Sequence, residues 1–206
     1  MIYLDNAATS RFKPKCMFDA MFCQLGDSAN PGRGGHNDSL DCAIKINDTR
    51  ATLKALVGAD DDYHLVFTSG CTEALNLAIF GFLADNIGGN VVTTVFEHNS
   101  VLRPLNNLLS RKVIDEIRYV SPSDPSQCVT AEDIAKLTDK DTRLIVVNHV
   151  SNVTGATADV ERIGELAKSL NVPFLVDSAQ SLGHKRINVT NCNISMLAAA
   201  GHKGLH

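Results

Sequence analysis

A lysine, an aspartate, two histidines and a loop of small hydroxyl-bearing residues are the groups in this sequence that could do chemistry as a set. Lys203 stands in Ala200-Gly201-His202-Lys203-Gly204, where small neighbours leave room for a planar group to approach the backbone. An isolated lysine is usually a solvated surface residue. One in this setting could form an imine with a carbonyl, if its amine is deprotonated part of the time, which a nearby cationic centre and partial burial promote. Asp177 closes the apolar run Val172-Pro173-Phe174-Leu175-Val176. A carboxylate there is a cap or loop group, or a buried anion with a cationic partner. In the second case it suits a protonated pyridine nitrogen, keeping the ring an electron sink for a carbanion. Gln180 follows three residues on and could hydrogen-bond a phenolic oxygen of the same ring. Thr68-Ser69-Gly70-Cys71-Thr72 separates an apolar run from a helix pattern; such a loop suits a phosphate, although Ser and Thr are also ordinary N-caps. His98, after Glu97, is a cap or loop residue, or a ring stacked on a cofactor face and able to shuttle protons.

These residues need elements to hold them. Short apolar runs, several rich in β-branched residues, recur at His64–Phe67, Asn90–Thr94, Val113–Val120, Leu144–Val147, Val172–Val176 and Ile194–Ala198. They suit strands buried on both faces. Between them, Glu73–Phe82 carries Leu75, Ile79 and Phe82 at helical spacing. Thr130-x-x-Asp133 resembles a cap opening a helix with Ile134 and Leu137, and Asp159 caps one with Val160, Ile163, Leu166, Ala167 and Leu170 on one face. The alternation predicts an α/β fold: three layers, with a mostly parallel sheet flanked by helices. Ligands collect at the carboxyl ends of strands in such sheets, and there the polar groups stand: Thr68–Thr72, Glu97–Ser100, Asn148–Asn152 and Asp177–Gln180.

Composition narrows the partners. With 206 residues, 44% hydrophobic, 20% charged and a net charge of -4, the chain is of ordinary globular make-up. No cluster of Lys and Arg replaces counterions, so nucleic acid is disfavoured. No apolar run approaches the roughly 20 residues that span a bilayer, and the N-terminus does not read as a signal peptide. Six cysteines, at 16, 23, 42, 71, 128 and 192, form no C-x-x-C pair, which argues against a zinc site; with no export signal they read as reduced thiols in a cytoplasmic protein. A nucleotide-binding domain is the weaker reading, because no G-x-G-x-x-G or Walker pattern follows a strand.

Seven blocks then resemble, in order, one family: Ile2–Thr9, Asn30-Pro31-Gly32-Arg33-Gly34-Gly35-His36, Thr68–Asn76, Glu97–Pro104, Ser151-Asn152-Val153-Thr154-Gly155, Asp177–Ser181 and Gly201–Gly204. They resemble class V aminotransferases, pyridoxal-phosphate enzymes of fold type I, in the cysteine-desulfurase branch. The resemblance implies that Lys203 forms the internal imine with pyridoxal 5'-phosphate, Asp177 pairs with the pyridinium, Gln180 contacts the phenolic oxygen and His98 stacks on the ring. It implies that Asn152 sits near the cofactor oxygen and the substrate carboxylate, and that Thr72, the Cys71 N–H and His202 hold the phosphate. Lys203 and His98 would be the catalytic pair. Two positions depart: Cys71 replaces a small residue such as Ala, and Ala200 stands where relatives often carry a phosphate-binding hydroxyl.

The resemblance also implies a domain plan. Residues 1–40 form an irregular or helical segment near the active site and dimer interface, to which Asn30–His36 contribute; residues 41–206 form the cofactor-binding large domain, truncated. Relatives continue with a further strand, inserted beside the one leading into Thr68–Thr72, and a small C-terminal domain with a mobile sulfur-accepting cysteine and a carboxylate-binding arginine. This chain is therefore expected to be a poorly active N-terminal part of a homodimeric enzyme that removes sulfur from L-cysteine, leaving alanine and a persulfide that a sulfur-acceptor protein could take. The alternatives are another class V activity, such as a selenocysteine lyase or aminotransferase, and a non-catalytic dimerising remnant.

Overall fold

A computed structural model of the chain describes residues 2–32, 34–124 and 127–205. Arg33, inside one of the seven blocks, lies outside the described residues, as do Met1, Pro125, Ser126 and His206. The chain runs through α1 (Lys15–Gly26), α2 (Asn37–Leu56), α3 (Cys71–Ala84), β1 (Asn90–Thr94), α4 (Asn99–Ser110) and β2 (Glu116–Val120). It continues with α5 (Ala131–Leu137), β3 (Thr142–Asn148), α6 (Val160–Ser169), β4 (Phe174–Asp177) and β5 (Met196–Ala198). The strands make one sheet in the order β2-β1-β3-β4-β5, with every pairing parallel.

The sheet forms where the β-branched runs are. All of β1 and β4 is buried, as a parallel sheet covered on both faces requires. Alternate residues go to opposite cores. Val92, Ile145, Val147, Phe174 and Val176 pack with Ile134 of α5 and Ile163 of α6. Val91, Leu144, Val146, Leu175 and Ala198 pack with Leu75 and Ile79 of α3 and Leu105 of α4. These are the three expected layers. Thr130 caps α5 in a full capping box with Asp133, and Asp159 caps α6 by accepting from Arg162 N.

The expectation of a strand at His64–Phe67 fails. The segment carries no ladder pairing, and Val66 and Phe67 are exposed. A strand exists only where a neighbour takes its backbone groups, and the described sheet ends at β5. The expected strand over 113–120 shrinks to β2, because the ladder with β1 begins at Asn90 opposite Glu116 while Val113 and Asp115 bond the Gly88–Gly89 turn that precedes β1. The first of the N-terminal helices, α1, buries none of its side chains, leaving Phe18, Met21, Phe22 and Leu25 exposed. Among the described residues no helix is long and apolar enough to cross a membrane.

Candidate active site

Parallel strands bring their carboxyl ends to one edge of the sheet. There β3 and β4 pair Asn148 with Asp177. Asp177 is 2% exposed; its Oδ1 accepts from Ala179 N at 2.9 Å and from Cys71 Sγ at 3.6 Å. Burial pushes its carboxyl up, while these bonds and the nearby His98 and Lys203 pull it down. Among the described residues it has no ion-pair partner. Burial first, then Asp177, pushes the Cys71 thiol far up, so it is a neutral donor and not a nucleophile.

The opening of α3 faces this carboxylate. Its N-cap is Gly70, which has no side chain to satisfy the first turn. Ala74 N bonds the Gly70 carbonyl, and the amides of Cys71, Thr72 and Glu73 bond no described residue. Free first-turn amides with a hydroxyl beside them suit an anion. That hydroxyl is Thr72 Oγ1, 2.8 Å from Ser100 Oγ. Ser100 connects it to His98, which caps α4: Nδ1 accepts Ser100 N at 3.1 Å and lies 2.9 Å from Ser100 Oγ.

Lys203 is brought in by a close backbone approach. A Cβ on Gly204 would lie 2.0 Å from the Leu182 carbonyl oxygen, and one on Gly183 2.1 Å from that of Gly204. Only glycines let the lysine loop press this tightly on the turn after Asp177, and Gly183 also needs its φ of +88°. Lys203 is half-buried, and its charge acts on both Asp177 and Cys71. An N-terminal strap completes the arrangement. The His202 carbonyl accepts from Ser10 N and from the Thr9 and Ser10 hydroxyls, and Gln180 Nε2 donates to the Ala7 carbonyl at 2.8 Å.

Behind the site sits Glu97, whose Oε1 accepts from the Thr94 hydroxyl at 2.7 Å and from Asn148 N at 2.8 Å. Its Oε2 is buried without a partner, and burial raises its carboxyl from 4.5 to about 8. It ties the carboxyl ends of β1 and β3 as a neutral acid near neutral pH.

Cys71, Thr72, His98, Asp177 and Lys203 are thus brought together at this edge of the sheet. His202 joins them through its backbone, with its ring Nδ1 3.0 Å from Thr9 Oγ1. Gln180 is engaged with the strap. Asn152 lies exposed in a turn beyond β3 and makes no side-chain hydrogen bond to a described residue. Sequence reasoning assigned no individual role to three contributors: Ser100, the Ala7–Ser10 strap and the buried Glu97. All three lie within or beside the quoted blocks, but serine, alanine and an acid before a histidine carry no signal of their own without the contacts.

The sequence profile of the family described as aminotransferase class-V matches residues 2–206. A probable cysteine desulfurase of Borreliella burgdorferi is 32% identical over 211 residues, covering 100% of this chain and 49% of its own length. The cysteine desulfurase IscS of Dictyoglomus turgidum is 31% identical over 204 residues, covering 98% of this chain and 50% of its own. Among solved structures, the apo cysteine desulfurase of Thermococcus onnurineus superposes with a TM-score of 0.89 at 35% identity, covering 98% of this chain and 50% of that one. A structure described as SspA in complex with cysteine gives 0.88 at 30% identity, covering 98% and 57%. The chain spans about half the length of the curated relatives it matches.

Proposed function

The chain belongs to the class-V aminotransferase family, and from that premise we propose that it is the pyridoxal-phosphate-binding part of a protein that removes sulfur from L-cysteine. The products would be alanine and a persulfide. The observation that carries the cofactor reading is Asp177: a carboxylate 2% exposed at a strand end, with no ion-pair partner among the described residues. A buried anion left without a cation is costly, and a protonated pyridine nitrogen would complete it. The remaining donors suit the same group. The free amides at the start of α3 and the Thr72 hydroxyl suit its phosphate, with His202 beside them, and Lys203 suits its carbonyl carbon. His98 would stack on the ring, Gln180 would turn from the strap to the ring oxygen, and Asn152 would meet the substrate carboxylate.

Bound there, pyridoxal phosphate supplies an electron sink for negative charge at the substrate's α-carbon. The chain's own residues do the rest. Asp177 holds the proton on the ring nitrogen. His98, whose Nδ1 accepts a backbone amide, keeps its proton on Nε2, the nitrogen left to exchange protons with a substrate. Cys71 donates to the Asp177 oxygen and fixes its orientation.

The relatives described as cysteine desulfurases, and the neighbour in complex with cysteine, support sulfur chemistry over the other class V activities. The exposed apolar face of α1 supports a homodimer with the N-terminal segment at its interface, and the free cysteines support a reducing, cytoplasmic setting. A small C-terminal domain would bring the sulfur-accepting cysteine and the carboxylate-binding arginine, and a sulfur-acceptor protein would take the product. The test adds pyridoxal phosphate to the chain, fixes it with borohydride and maps the adduct by peptide mass. Labelling of Lys203, lost in Lys203→Ala, is expected; labelling spread over surface lysines overturns the cofactor reading. In the protein that carries this chain, sulfide without matching alanine from L-cysteine overturns the reaction.

A further inference from the structure

The Ser100 hydroxyl stands between two groups of the site, 2.8 Å from Thr72 Oγ1 and 2.9 Å from His98 Nδ1, in a residue 7% exposed. Nδ1 also accepts the backbone N–H of Ser100 at 3.1 Å. A ring nitrogen that accepts an amide proton carries none itself, so Nδ1 is an acceptor toward the hydroxyl as well. Ser100 therefore has one hydroxyl proton and two acceptors for it. The choice depends on Thr72. The Thr72–Ser100 contact can run in either direction; while the Thr72 hydroxyl has no anion to serve, it would donate to Ser100 Oγ, and Ser100 would donate to Nδ1. When an anion lies on the first turn of α3, Thr72 donates to the anion. That charge-assisted bond polarises its oxygen and draws the Ser100 proton toward it, because hydrogen bonds in a chain strengthen one another when they run the same way.

We propose that Ser100 is a positioning residue that relays phosphate occupancy at Thr72 to the His98 ring by reversing its hydroxyl. The proposal rests on the reading of Thr72 as a phosphate ligand. In the empty site Nδ1 holds two donors; in the phosphate-bound site it holds the backbone amide alone. The ring keeps its tautomer in both states, since the amide bond never breaks. What changes is the electron pair on Nδ1, and through the ring the readiness of the opposite nitrogen to exchange its proton.

The experiment uses the chain labelled with nitrogen-15 in its backbone and histidine rings, with inorganic phosphate titrated at constant pH and ionic strength. The Thr72 amide reports binding, and the His98 ring nitrogens, assigned with His98→Gln, report the relay. In the parent chain the Thr72 amide is expected to shift while Nδ1 moves toward the position of a less hydrogen-bonded, unprotonated ring nitrogen and Nε2 stays protonated. Ser100→Ala keeps the backbone N–H that caps α4 with His98. Its Nδ1 is expected to start at the phosphate-bound position of the parent and to stay there as phosphate is added. Thr72→Ser keeps the hydroxyl and is expected to keep the response. A Thr72 shift with Nδ1 unmoved overturns the relay and leaves the phosphate site standing. No Thr72 shift at saturating phosphate removes the phosphate site, and the relay with it. A response in Ser100→Ala equal to the parent's, or movement of Nδ1 to a protonated position, overturns the relay as well, since either is an effect of charge through space.

Discussion

Replacing Glu97 by glutamine isolates one buried proton. The folded carboxyl is raised from 4.5 to about 8, chiefly by burial and further by Asp177, against bonds from Thr94 and Asn148 that pull it down. The folded state thus holds a proton that the unfolded chain releases between those two values. Stability from this group is complete below about 4.5 and falls as pH rises, by about 1.4 kcal/mol per unit, until it is lost above about 8. Across the interval the loss is of the order of 5 kcal/mol, a large fraction of the 5–15 kcal/mol typical of a domain. Glutamine keeps an oxygen for Thr94 and Asn148, puts an amide where Oε2 has no partner, and carries no charge at any pH. Urea unfolding of parent and Glu97→Gln, followed by circular dichroism between about pH 5 and about pH 9, gives a difference curve in which the groups not coupled to Glu97 cancel, leaving Glu97 with its neighbours Asp177 and Cys128. The two proteins should be nearly equal at the acid end, with the variant gaining steadily toward the alkaline end. Parallel curves, or a parent that gains on the variant as pH rises, would refute the neutral buried acid.

Three further outcomes follow from single contacts. Gly204→Ala should cost about 3 kcal/mol in unfolding experiments, since its methyl would meet a backbone oxygen at 2.0 Å, whereas Gly201→Ala, with nothing within 4 Å, should stay within about 0.5 kcal/mol. Thr130→Ala removes the cap of α5 and should lower stability by about 1 kcal/mol, measured the same way. Asp177→Asn should weaken binding of pyridoxal phosphate roughly 10- to 100-fold by fluorescence titration, the worth of about 1.5–3 kcal/mol for a hydrogen bond to a charged group; unchanged affinity would mean that the ring nitrogen is held elsewhere.

Sequence alone determined the central sheet. Asn90–Thr94, Leu144–Val147 and Phe174–Val176 are short, β-branched and apolar on both faces, and such runs have few stable places other than the middle of a covered parallel sheet. It also determined the edge at which chemistry could occur, because polar residues follow each strand, and it determined α5 and α6 through Thr130 and Asp159, whose caps are local. Tertiary structure decided what local pattern cannot. His64–Phe67 reads as a strand, yet a strand is a property of its neighbours, and the described sheet gives it none. The place of Lys203 depends on Gly183 and Gly204 meeting across a backbone contact between segments about twenty residues apart. Gln180 is held by Ala7, and His98 is tied to Thr72 through Ser100. Side-chain type tells what a residue can donate or accept; only the folded chain decides which partner stands within hydrogen-bond reach, since that distance is set by elements far apart in sequence.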